Sequence, residues 1–110
     1  PFDIDNEDTW AEGLIPVAKL FYNFVENLVE KELIDSAELE NLKTKEYTKK
    51  LFQATDYPAI ANNRTDNMGN SLQKRYRAKA INFNGSEIYV STQFFDSDRD
   101  AVIDWYRSHL

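Results

Sequence analysis

A chain of 110 residues, 42% hydrophobic and 14% aromatic, has the make-up of one folded domain and not of a disordered tail. Its 19 acids against 13 bases leave a net charge of −6, which opposes nonspecific approach to nucleic-acid phosphate; the lack of cysteine excludes disulfides, thiolate zinc sites and cysteine nucleophiles. No apolar run nears the ~18 residues of a membrane span and no signal pattern opens the chain, so no membrane partner and a cytoplasmic location are expected.

Residues 1–12, PFDIDNEDTWAE, are acidic and lack helical periodicity, and read as an arm or linker anchored through Trp10. Residues 13–110 then form a single domain. From Pro16 onward, Val17, Leu20, Phe21, Phe24, Val25, Leu28 and Val29 recur at helical spacing, and Pro16 suits the start of that helix. Asp35 with Glu38 three residues later predicts a capping box for a second helix, whose apolar face is Leu39 and Leu42. Thr44 predicts the start of a third, TKEYTKKLFQ, with Tyr47, Leu51 and Phe52 inward and Lys45, Lys49 and Lys50 outward.

Residues 54–73 are rich in turn formers, too many for a bare loop in so small a domain, and a helical turn at Pro58–Ala61 is expected to break them up. Asn84-Gly85 is the strongest short hairpin signal, because a type I′ turn needs positive φ at both central positions. The basic stretch Lys74, Arg75, Arg77 and Lys79 falls on the first strand of that hairpin. Asp96 or Ser97 is expected to cap a last helix, with Ala101, Val102, Trp105 and Tyr106 on one face. The fold class is α+β: three N-terminal helices, a β-hairpin and a C-terminal helix, winged-helix-like.

Charge is unevenly spread. Residues 1–40 carry a net −9, residues 41–86 a net +6 and residues 87–110 a net −3. Three helices followed by a hairpin is the winged-helix order, in which the third helix enters the major groove and the hairpin touches flanking backbone. On that reading Lys45, Lys49 and Lys50 face double-stranded DNA, while Lys74, Arg75, Arg77 and Lys79 hold phosphate. The plainer reading makes the lysines a solvated face and the arginines edge-strand protection. A different class of function, protein interaction or self-association, rests on the aromatic excess at Tyr89, Phe94, Phe95, Trp105 and Tyr106. Its partner would be another protein or another domain of a parent chain. The only methionine is Met68, so Pro1 is no translational start and a piece of a longer or processed protein is expected.

Asp96, Asp98 and Asp100 imitate the start of an EF-hand loop, but Ala101 stands where glycine is needed and Arg107 where the final glutamate belongs. They suit a helix N-terminus better. His109, the single histidine, has no serine or cysteine paired with it in sequence. No glycine-rich phosphate loop occurs, so neither an enzyme nor a cofactor is expected.

RYRAKAINFNGSEIYVSTQFFDSDRDAVIDWYRSHL, through Phe83-Asn84-Gly85, Tyr89-Val90-Ser91, Gln93-Phe94, Asp98-Arg99-Asp100 and Trp105, resembles the C-terminal accessory domains of uncharacterised bacterial proteins. TKEYTKKLF and Tyr57-Pro58 extend the resemblance over residues 44–110. It implies a bacterial accessory domain and transfers no catalytic residue.

Overall fold

Helix α1 (Val17–Glu30) buries the face that its spacing predicts: Val17, Leu20, Phe21, Phe24, Val25 and Leu28 are all buried, Tyr22 joins them, and Val29 is half-buried. Pro16 takes the cap position, extended, with its carbonyl accepting the first helical bond from Leu20 N–H. The computed structural model that shows this describes residues 4–10, 15–53, 57–64 and 75–110.

The end of α1 is a Schellman turn. Leu33 N–H donates to Leu28 C=O (2.9 Å) and Glu32 N–H to Val29 C=O (3.2 Å). That closure puts Glu32 at φ 56°, the left-handed region where glycine is the usual occupant.

Residues 35–52 form two helices, as the Thr44 break predicts. Helix α2 (Ser36–Leu42) is capped by the Asp35 carboxylate, which accepts from Glu38 N–H, and α3 (Lys45–Leu51) by the Thr44 hydroxyl, which accepts from Tyr47 N–H. The second half of the expected capping box is not made, because the Glu38 side chain turns away to α4. In α3 the most buried residue is Thr48, with Tyr47 and Leu51 half-buried beside it. The Thr48 hydroxyl donates to Thr44 C=O and accepts from Ala59 N–H (2.9 Å), so a polar side chain sits in the core with its partners supplied.

The helical turn expected at Pro58–Ala61 is instead a strand, β1 (Ile60–Ala61). It pairs antiparallel with β3 (Ser86–Val90), Ile60 opposite Val90, and Ser91 N–H donates to Ala59 C=O. An unpaired strand edge and a buried place for Ile60 outweigh local turn chemistry. β2 (Ile81–Phe83) lies on the other side of β3, giving the order β1-β3-β2. The Asn84-Gly85 turn has φ of 51° and 85°, the positive pair that a type I′ hairpin requires.

The basic stretch is not one continuous strand. Tyr76 bridges Ser91, and Arg77 N–H donates to Val90 C=O. From Tyr76 to Ile81 the chain advances five residues while its partner strand goes back only three, from Ser91 to Ile88. Ala78 and Lys79 occupy the resulting bend.

Helix α4 (Arg99–Arg107) starts later than expected, after a 3-10 turn at Asp96–Asp98. Neither Asp96 nor Ser97 caps it; the buried Asp98 carboxylate accepts from Phe95 N–H and fixes the entry. The Tyr106 ring stacks on Phe24 at 4.0 Å, and Trp10 meets both rings edge-on. Trp10, from the segment read as an arm, is only 2% exposed. Arg99, 9% exposed, donates to Trp10 C=O (3.3 Å) and Ile15 C=O (2.7 Å), clamping the entering chain to α4. The expected boundary at residues 12–13 lies outside the described residues.

The architecture is thus a mixed α+β one with four α-helices and a small antiparallel sheet. Replacing Glu32 by glycine removes the left-handed penalty at the α1 cap, and urea unfolding should show a gain of about 0.5–1 kcal/mol.

Candidate functional site

The predicted cations part company. Lys45, Lys49 and Lys50 on α3 are all exposed. Lys79 is exposed in the bend, and Lys74 lies outside the described residues. Arg75 and Arg77 each sit over an aromatic ring of their own chain, Arg75 5.1 Å from the centre of Tyr57 and Arg77 5.0 Å from that of Tyr22 on α1. Arg75 also donates to Gln93 Oε1 (3.2 Å). Arg77 is half-buried, and its Nε is buried with no hydrogen-bond partner. Such cation–π contacts contribute roughly 0.5–2 kcal/mol, increasing with desolvation, so Arg77 is part of the fold before it is a ligand for phosphate.

Glu38 was read as a cap residue and proves to be a hub. Its carboxylate, 13% exposed, accepts from the Tyr47 hydroxyl on α3 and from Trp105 Nε1 on α4 (3.2 Å), and His109 Nε2 lies 3.1 Å from Oε2. Three elements meet on one carboxylate. Trp105 on α4 and His109, in the turn just after its end, converge on Glu38, which is 67 positions away from Trp105. Burial, then the hydrogen bond to Glu38 and its charge, push the Tyr47 hydroxyl up to about 12. Tyr76, whose hydroxyl donates to Pro58 C=O, is pushed up to about 12 chiefly by burial. Both oxygens of the Glu38 carboxylate are thereby engaged inside the molecule.

The acids Asp96, Asp98 and Asp100 serve the entry to α4, and no group of three or more His, Cys, Asp or Glu side chains suited to a metal ion occurs among the described residues.

A concave surface with no counterpart in the sequence pattern lies between the α1–α2 corner and the hairpin. Val29, Glu32, Ile34 and Asp35 line its helical side and Asn82, Phe83 and Asn84 the other, around a cavity of about 380 Å³. A neighbouring hollow of about 230 Å³ continues it along α2, sharing Ser36, Phe83 and Asn84 and reaching Leu39 and Glu40. The larger falls in the size range of ligand sites. Glu40 is neutralised by Lys43 at 2.8 Å, whereas Glu32 and Asp35 lend the larger cavity a negative rim. The two non-glycine residues with positive φ among those described, Glu32 and Asn84, both line it.

Compared with protein-family models, curated proteins and solved structures, the chain matches none. The geometry alone carries the functional argument.

Truncating Glu38 to alanine strands the Tyr47 and Trp105 donors and removes the partner of His109, and urea unfolding should report a loss of about 2–4 kcal/mol. The raised tyrosines set the alkaline limit. A hydroxyl whose pKa is raised by folding gives stability that is whole below the unfolded value of 10 and is lost as pH rises through about 12. Absorbance titration at 295 nm should show Tyr47 and Tyr76 among the tyrosines still protonated at pH 11, and Tyr47→Phe should leave one fewer.

Proposed function

We propose that this chain is a non-catalytic protein-recognition module whose binding surface is the groove between α2 and the hairpin. The observation that carries it is the coincidence of an edge strand, β2, with a cavity of about 380 Å³ that offers Phe83, Val29 and Ile34 between the carboxylates of Glu32 and Asp35. The lining is more polar than apolar, and it sets these three apolar side chains beside a charged rim, a combination suited to a peptide's backbone and one apolar side chain. The internal use of Arg75 and Arg77, together with a net charge of −6, favours this reading over a phosphate-binding one. The Glu38 cluster argues for a structural rather than catalytic role, because its donors already have partners.

A second reading is supported by a separate observation. Lys45, Lys49 and Lys50 are all exposed on the third helix, and the order of helices and hairpin suits a winged-helix-like DNA module. In that case phosphate contacts come from these lysines and Lys79, with Arg77 bracing the sheet against α1.

One pair of experiments separates the two. Selection of a displayed peptide library on the immobilised protein should enrich sequences whose binding is lost in Phe83→Ala. Fluorescence anisotropy with a mixed-sequence duplex at low salt should show only weak binding. Steeply salt-dependent duplex binding that collapses in Lys45→Glu/Lys49→Glu/Lys50→Glu, with no peptide enriched, would replace the first reading by the second.

A further inference from the structure

We propose that the groove takes an extended segment of a partner protein, with an apolar and a basic side chain two residues apart, which adds to β2 as a further strand. This rests on the protein-recognition reading and says how the groove is filled. β3 is the central strand, so one side of β2 faces β3 and no described strand pairs with the other. Across a two-residue hairpin turn, the flanking pair Phe83 and Ser86 exchanges both backbone hydrogen bonds, and the next pair, Asn82 and Glu87, exchanges none. The N–H and C=O of Asn82 therefore point to the open edge, where Asn82 is exposed and lines the cavity. A sheet edge of this kind is a template for another strand.

The side chains that such a strand must carry follow from the walls. Phe83 and Ile81 project to the same side of the sheet, the side on which Ile81 is buried. Val29 and Ile34 face Phe83 across the cavity, and Glu32 and Asp35 stand at its rim. Successive same-face positions on a strand are two residues apart, so one incoming side chain reaches Phe83, Val29 and Ile34 and the next reaches the carboxylates. Charge complementarity makes that second side chain lysine or arginine. Glu32 stands at φ 56°, where glycine would fit with less strain, and that turn holds its exposed carboxylate at the cavity rim.

The probe is a library of displayed seven-residue peptides selected on the whole chain, with enriched peptides resynthesised, labelled and titrated by fluorescence anisotropy. Enriched sequences should place an apolar residue and a Lys or Arg at i and i+2. Glu32→Lys should weaken them about tenfold. Glu32→Gly should weaken them too while melting higher, a combination that damage to the fold cannot produce. N-methylation of the peptide backbone, scanned one position at a time, should abolish binding at alternate positions only, since a strand turns every second N–H toward its neighbour. Peptides that need Phe83 but tolerate N-methylation everywhere would overturn strand addition and leave the recognition reading standing. Enriched peptides indifferent to Phe83→Ala and Glu32→Lys, or no enrichment at all, would overturn both.

Discussion

Phe21 and Phe24, three residues apart on α1, are in ring contact with Trp10, Phe52, Phe94, Trp105 and Tyr106. Those five rings come from four separate stretches: the N-terminal segment, the end of α3, the approach to α4, and α4 itself. Each buried aromatic side chain contributes about 1.5–3 kcal/mol from burial, and the ring geometry adds about 0.5–1.5 kcal/mol per pair. The fold is organised around this one helical face. Remove it and α4, the α3 terminus and the entering chain lose their common anchor together.

Apolar contacts alone would leave the short elements free to slide. α2 and α3 have seven residues each, too few to be stable as isolated helices. Directional polar bonds fix them in place: Glu38 ties α2 to α3 and α4, Thr48 ties α3 to the backbone before β1, and Arg99 ties α4 to the chain on either side of residues 11–14. A buried carboxylate is costly when alone, and it becomes an orienting element only when its donors converge. The pairing of Arg77 with Tyr22 belongs to the same set, joining the sheet's margin to α1.

Those ties also shape the groove between the α1–α2 corner and the hairpin. The Schellman turn after Leu28 turns the chain back toward the hairpin, α2 follows at once, and the Asn84-Gly85 turn closes the opposite wall. A cavity framed by two fixed corners is preformed, which lowers the ordering cost of a partner. The positive charge that drew attention in the sequence is distributed differently: the α3 lysines stay on open surface, and the two arginines lie against Tyr57 and Tyr22.

Local chemistry made much of the fold legible from sequence. Helical spacing from Val17 to Leu28 named the core face, Asp35 and Thr44 named two helix starts, and Asn84-Gly85 named the turn, because each is fixed by bonds or steric limits within a few residues. β1 was misread as helical, since Ile60 gains its backbone partners and burial only from Val90, far along the chain. Glu38 looked like a cap for the same reason: its partners Trp105 and His109 arrive from the other end of the molecule. Arg75 and Arg77 read as free cations because the rings beneath them are remote in sequence. The groove could not be read at all, for it exists only where the α1–α2 corner and the hairpin meet. The sequence by itself determined α1, the capped starts of α2 and α3, and the hairpin turn; the tertiary structure decided how α4 begins, which charges are used internally and where a concave surface remains, because these depend on which distant side chains the core brings together.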